Sequence, residues 1–307
     1  MERRKIELYR VRSFGDKLND TFAFVNENYR QLLKYLTYFL LPLSLVQAVA
    51  MNGYLGNMMT LSMGGGNGMS SDALMSMAGS MAFYALVYGV GAFLLVTVVY
   101  ALMRLYNRRE QRLNGLMWEE MKPEVGLMLR RGLLLVLLGI VVAVLFGLLI
   151  FALVQFSPMM LFLLLPALFV VALPLSLLTP VYLFEERISL TDALWKSLRL
   201  GFRTWGGILA VMLVMTIIAS VLQGVVSIPW YIAFIVKSLF GLQQAEDSFV
   251  NSVGFSFIIY LLGVVQAFGG FLTYSLAYIS LAYQYGHAAE KIDGVTVDTD
   301  IEHFEEL

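Results

Sequence analysis

The sequence contains no cysteine, which excludes disulfides, thiolate metal sites, iron–sulfur clusters and cysteine nucleophiles together. Histidine is almost as scarce. Only His287 and His303 occur, both near the C-terminus, so a multi-histidine iron or zinc centre cannot be assembled. Charge is the third scarcity: 14% of the 307 residues are charged and 59% are apolar, whereas soluble domains carry about 25% and 45–50%. With a mean hydropathy of +0.75, too few charges remain to solvate the surface of a fold this size. A soluble enzyme, a nucleic-acid binder and a disordered tail protein are thereby excluded. The net charge of −1 also leaves no global field that would recruit nucleic acid.

Long apolar runs are what the chain has instead. A spanning helix needs about 20 mostly apolar residues, and six stretches satisfy that requirement: Gln31 to Met51, Ala82 to Leu105, Gly132 to Phe156, Met159 to Leu183, Trp205 to Ser227 and Ser252 to Tyr283. They lack the alternating polar positions of barrel strands. The expected fold is therefore all-α, a polytopic membrane bundle of six transmembrane helices. Cytoplasmic loops retain Lys and Arg, and 20 of the 21 cations fall on one side of this arrangement, with Lys237 alone opposite. Both termini are expected in the cytoplasm. Ala48-Val49-Ala50 has the small-x-small pattern of a signal-peptide cleavage site, but more than 30 residues precede the apolar run. A secretory signal totals about 15–30, so the first span is expected to be retained.

Each cytoplasmic connection ends in an amphipathic stretch running into a span: Phe14 to Arg30, Leu116 to Arg131 and Ser189 to Arg203. Such helices are expected in the headgroup plane, apolar face down and cations near lipid phosphates. The chain then reads as three hairpins, each preceded by an interfacial helix, within a single membrane domain. Residues 1–30 form its cytoplasmic N-terminal segment, 31–284 the bundle, and 285–307 an acidic tail with seven carboxylates and one lysine. On the outer side, Asn52 to Met81 is expected to be a long Gly-, Ser- and Met-rich loop. Ile228 to Gly241 reads as an interfacial or re-entrant segment, and Trp205 and Trp230 as interface anchors of the fifth span.

Charge inside the spans is confined to their cytoplasmic ends, where Arg104 can snorkel to the interface. This argues against a proton relay or a voltage sensor, because such devices place ionisable groups at mid-depth. The polar residues Gln47, Gln223 and Gln266, joined by Thr216, Ser220, Thr273 and Tyr274, either line a path in the outer half of the bundle or hydrogen-bond between helices. The second reading is the simpler one. Gly139, Ala143 and Gly147 make a small-xxx-small face on the third span, a helix-packing signal. Pro166, Pro174 and Pro180 mark the fourth span as the irregular one. Eight of the 17 methionines cluster between Met51 and Met81. Thioethers suit Cu(I), yet no His or Cys accompanies them, and flexible methionine is also a general lipid or protein contact. Glu119-Glu120 and Glu185-Glu186 read as solvated carboxylates beside Arg and Lys. No catalytic constellation is found, and no cofactor or metal is expected.

Ser189-Leu190-Thr191-Asp192-Ala193-Leu194-Trp195-Lys196-Ser197-Leu198-Arg199-Leu200-Gly201 resembles the "Ala-Leu-x-x-Ser" entry helix of a broad bacterial group. That group joins uncharacterised six-span inner-membrane proteins with the membrane-embedded part of some glycerophosphodiester phosphodiesterases. Phe14-Gly15-Asp16-Lys17-Leu18-Asn19-Asp20 and Asn26-Glu27-Asn28 are similar to the N-terminal helix of its Bacteroidetes members. The resemblance implies a multi-pass protein of the bacterial inner membrane, without the phosphodiesterase domain of some relatives. The function expected is a non-catalytic one, scaffolding or regulating an envelope or lipid-related assembly. The alternative is a channel or carrier for a lipid-like or neutral solute, and a more distant one an intramembrane lipid enzyme. Partners expected are membrane lipids and, as candidates, other membrane or cytoplasmic proteins, with no nucleic acid. The oligomeric state is left open.

Overall fold

The computed structural model describes residues 5–63, 71–157, 159–241 and 249–296. Those residues are mostly helical, with no strand among them. In chain order come α1 (Phe14–Met63), α2 (Ser71–Arg108), α3 (Trp118–Phe156), α4 (Met160–Leu175), α5 (Leu178–Phe184), α6 (Leu190–Arg203), α7 (Trp205–Gly241) and α8 (Val253–Asp293), with a 3-10 turn at Phe249–Asn251. Six helices are long and apolar enough to cross a membrane. Five of them, with 36 to 46 residues in the apolar span, are longer than a crossing needs: α1, with 50 residues, is about 75 Å long, more than twice a roughly 30 Å hydrocarbon core.

The helix boundaries follow local chemistry. At the start of α1 a capping box forms, in which Ser13 Oγ accepts the Asp16 N–H at 3.2 Å and Asp16 accepts the Ser13 N–H at 3.0 Å, satisfying two otherwise unpaired donors. Ser189 caps α6 likewise, accepting the Asp192 N–H at 3.1 Å. Gly294 closes α8 with φ +63°, the left-handed conformation that glycine adopts without a Cβ clash.

Several boundaries differ from the sequence expectation. Phe14 to Arg30 and Leu116 to Arg131 do not form separate interfacial helices, because α1 and α3 run through them without a break; only α6 is a helix of its own. The outer segment Asn52 to Met81 is largely helix, extending α1 to Met63 and starting α2 at Ser71. Gly64 to Gly68 and Met69 lie outside the described residues. Ile228 to Gly241 is simply the continuation of α7 through Pro229. The segment expected as a tail from residue 285 begins as α8, and Tyr285, Ala288 and Ala289 are buried in the core.

The fourth span is broken between α4 and α5, as its prolines suggested. Pro174 has no N–H, so the Val170 carbonyl loses its helical donor. Trp205 Nε1 donates to that carbonyl at 3.3 Å. Pro180 falls in the first turn of α5, where a missing N–H removes no helical bond.

The chain divides into two compact units: residues 1–32, 97–216 and 276–307 in one, and residues 33–96 and 217–275 in the other. In the first, α6 presents Ala193, Ser197, Leu200 and Gly201 inward, against a core of Leu173, Leu177, Val181 and Tyr182. The Gly201 backbone lies so close to Pro174 that a Cβ there would overlap the proline ring, 2.6 Å from its Cβ. Trp195 and Phe202 face outward. In the second unit Met51, Trp230 and Ile259 form the buried centre, with Trp230 stacked on Phe234 at 5.2 Å. Trp230 is thus a core residue and not an interface anchor.

Candidate functional site

The densest polar chemistry lies in the first unit. Arg104, near the end of α2, is only 4% exposed, so it does not snorkel. Its Nε sits 3.2 Å from Glu124 on α3, and its guanidinium also pairs with Glu186 and donates to the Leu183 carbonyl at 3.3 Å. Arg108, one turn on, reaches the same two carboxylates, meeting Glu124 at 2.6 Å. Arg131 on α3 lies over the Tyr182 ring at 4.1 Å and donates to the Glu185 carbonyl at 2.9 Å. Glu185 in turn accepts from Lys196 and from the Tyr285 hydroxyl at 2.6 Å. Asp293 takes Lys196 at 3.2 Å and Arg199 at 2.7 Å. Glu186 therefore belongs to an ion-pair cluster with Arg104 and Arg108 of α2 and Glu124 of α3, and Glu185 to a second with Lys196 and Arg199 of α6 and Asp293 of α8; Glu185 is largely buried, while Glu186 stays half exposed beside its arginines.

A second cluster surrounds the extended segment before α1, which acts as a strap. Lys5 Nζ donates to the Asn107 carbonyl at 2.6 Å, and the Ile6 N–H to the Tyr106 hydroxyl at 3.1 Å. The Arg12 N–H donates to His287 Nδ1 at 2.9 Å, while its guanidinium meets Asp20 at 2.7 Å and covers the Tyr283 ring at 4.8 Å. Leu8 is buried, with its carbonyl against Gly286 of α8. Burial pushes the Tyr9 phenol pKa up, a shift its contact with Tyr285 partly offsets. Burial pushes the Lys5 ammonium down, with Glu110 and Glu7 opposing.

The polar residues singled out in the spans separate into two groups. Gln223, Gln266 and Thr273 come together: Gln223 Nε2 donates to Ser227 Oγ at 3.0 Å and to the Gln266 carbonyl at 3.1 Å, and Thr273 Oγ1 donates to Gln223 Oε1 at 3.4 Å. Gln47 is buried and bonds to the Tyr84 side chain. Thr216 and Ser220 are exposed on α7, and Tyr274 is half-buried on α8. The Gln223 set is a bridge between α7 and α8. Gln223→Leu is expected to lower stability by only about 1 kcal/mol or less, because polar contacts in a membrane interior find substitutes when lost. Unfolding in mixed micelles measures this.

Gly139, Ala143 and Gly147 are exposed on α3, and a Cβ at Gly139 or Gly147 would meet nothing within 4 Å. The close approaches occur at other glycines: the Phe271 ring fills the space over Gly91, and Val226 that over Gly269. Gly91 belongs to no small-xxx-small run, whereas Gly269 opens one with Thr273 and Ala277.

Among the described residues no group of three His, Asp or Glu side chains is placed to hold a metal ion. Met59 Sδ accepts a hydrogen bond from Ser238 Oγ at 3.3 Å, while Met75 and Met81 are exposed. No known protein family, curated protein or solved structure matches this chain. Sequence reasoning missed Arg104, Glu124 and His287 as buried network members. The available signal was amphipathic spacing: Glu120, Glu124 and Arg131 recur at helical intervals.

Proposed function

We propose that the chain is a multi-pass protein of the bacterial cytoplasmic membrane that scaffolds or regulates an envelope or lipid-related assembly, without catalysis of its own. In this reading the spans form three hairpins, both termini are cytoplasmic, and α6 lies at the inner membrane surface with Trp195 and Phe202 toward lipid. The observation that carries it is the use of polar side chains. The Gln223 side chain bonds across to the Gln266 backbone carbonyl and to the Thr273 hydroxyl of α8, where a carrier would hold such a group open to a solute. The ionic groups form two clusters that meet at Glu185 and Glu186 in the chain, of the kind that fixes a rigid docking face. Similarity of the Ser189 to Gly201 stretch to the entry helix of bacterial six-span proteins supports the same placement.

Two measurements test this. Because the chain has no cysteine, single cysteines at Asn67, which lies outside the described residues, and at Asn114 report sidedness directly. Labelling from opposite faces is expected, and labelling from one face overturns the topology. Cross-linking in native membranes followed by purification is expected to return a stoichiometric protein partner. Solute flux through proteoliposomes of the pure protein, with no partner recovered, would replace scaffolding by transport.

A further inference from the structure

We propose that the first unit holds a binding site for a phosphate group, built from Lys17 on α1, Gln284 and His287 on α8, and the bare backbone of Gly207 on α7. Lys17 is 4% exposed, yet among the described residues no carboxylate lies within ion-pair distance of it. The charges acting on it are those of Lys291 and Arg12, both of its own sign. A buried ammonium without a counter-charge is costly, and an anion removes the cost. Asp20, the nearest acid in the helix register, is engaged by Arg12 at 2.7 Å.

Gln284 supplies the independent observation. It is fully buried, and among the described residues neither its Nε2 nor its Oε1 has a hydrogen-bond partner. Burying an amide unpaired costs about 1–3 kcal/mol, so native proteins retain such groups where something else fills the bond. The Gln284 amide and Lys17 Nζ both border the bare Gly207 backbone: Gln284 Nε2, Gln284 Oε1 and Lys17 Nζ lie 3.2, 3.5 and 3.6 Å from where a Cβ would stand. With glycine there, no side chain separates the two groups. His287 lies one turn beyond Gln284 on the same face of α8. Its Nδ1 accepts from the Arg12 N–H, so the proton of the neutral ring resides on Nε2, making that atom a donor. Lys291 continues the face one turn further. Ammonium, amide N–H and imidazole N–H around a glycine backbone make a donor set for a tetrahedral oxyanion. A phospholipid headgroup and a free phosphate share that chemistry. No partner protein is needed, so the test is independent of the scaffolding experiment.

The full chain is purified into maltoside micelles, which contain no phosphate, and its unfolding temperature recorded with and without millimolar inorganic phosphate, with chloride holding ionic strength. The measurement is repeated in maltoside micelles doped with phosphatidylglycerol. A rise of several degrees is expected in one arm. A rise with inorganic phosphate in lipid-free micelles assigns a soluble phosphate, and a rise only with phosphatidylglycerol assigns the headgroup. Gly207→Ala, which places a methyl beside the two groups, is expected to abolish the rise. Lys17→Met should weaken the apparent affinity about tenfold, the loss of one charge-assisted hydrogen bond. Gln284→Leu should also lose the response, while being at least as stable as the parent in maltoside micelles without phosphate or phospholipid, because an unpaired amide has been replaced by an apolar group of similar size. The proposal is overturned if neither arm stabilises the parent, if all three variants respond like it, or if Gln284→Leu is less stable without ligand.

Discussion

Replacing Arg104 by alanine is expected to lower unfolding stability by about 3–5 kcal/mol, the range for removing one partner of a buried ion pair. The reason lies in what stays behind. The Glu124 side chain is 11% exposed and the Glu186 side chain 48% exposed, so Glu186 can rehydrate when Arg104 is lost and Glu124 cannot. Arg108 remains 2.6 Å from Glu124, which places the cost toward the lower end of that range. Two controls locate the effect. Arg108→Ala, truncating a side chain that is half exposed, should cost no more than about 1 kcal/mol. Pairing Arg104→Met with Glu124→Gln should recover much of the loss, since the stranded charge is then absent and most of the volume is kept. Unfolding in mixed micelles, read by tryptophan fluorescence, measures all three. A cost for Arg104→Ala no greater than for Arg108→Ala would show that the pair is effectively solvated.

Gly286→Ala is expected to cost about 2–4 kcal/mol and to release the strap before α1. A methyl there would overlap the Leu8 carbonyl oxygen and stand 2.9 Å from the Leu8 carbonyl carbon. The α8 backbone is held by its own ladder, so the strap must move. Such overpacking alone costs about 1–3 kcal/mol. Movement also withdraws Leu8 from the core and separates the Arg12 N–H from His287 Nδ1, which adds the remainder. Limited trypsin digestion gives the clearest reading, because Arg10 and Arg12 lie in the strap. Cleavage there should accelerate in Gly286→Ala and stay at the parent rate in Gly139→Ala, where an added methyl meets nothing. Equal rates in both variants would mean that the strap is not held by this contact.

These two sites show where sequence reading stopped. Arg104 at the end of an apolar run reads as a residue that reaches for the interface, because in one dimension only its distance from the run's edge is visible. That Glu124, 20 residues later, and Glu186, 82 residues later, converge on it depends on how α2, α3 and the α5–α6 connection are packed. The glycines teach the same lesson from the other side. Gly139, Ala143 and Gly147 carry the spacing of a packing face and are exposed, whereas Gly91 carries no such spacing and still admits the Phe271 ring; Gly201, Gly269 and Gly286 carry it, in Ala193-xxx-Ser197-xxx-Gly201, Gly269-xxx-Thr273-xxx-Ala277 and Ala282-xxx-Gly286, and do admit a neighbour's backbone or side chain. Spacing says that a close approach is allowed, and only a second element arriving there makes it happen.

The sequence by itself determined the helical class, the number of apolar runs and the chemistry that is missing, because these depend on composition and on hydropathy summed over about 20 residues. It also marked the fourth span as broken, since proline acts through its own missing N–H. The tertiary structure alone decided that Arg104 is buried and paired, that Trp205 supplies the donor Pro174 withholds, and that Lys17 and Gln284 meet at Gly207. Each of these joins residues far apart in the chain, and their contact energy depends on distances that folding sets.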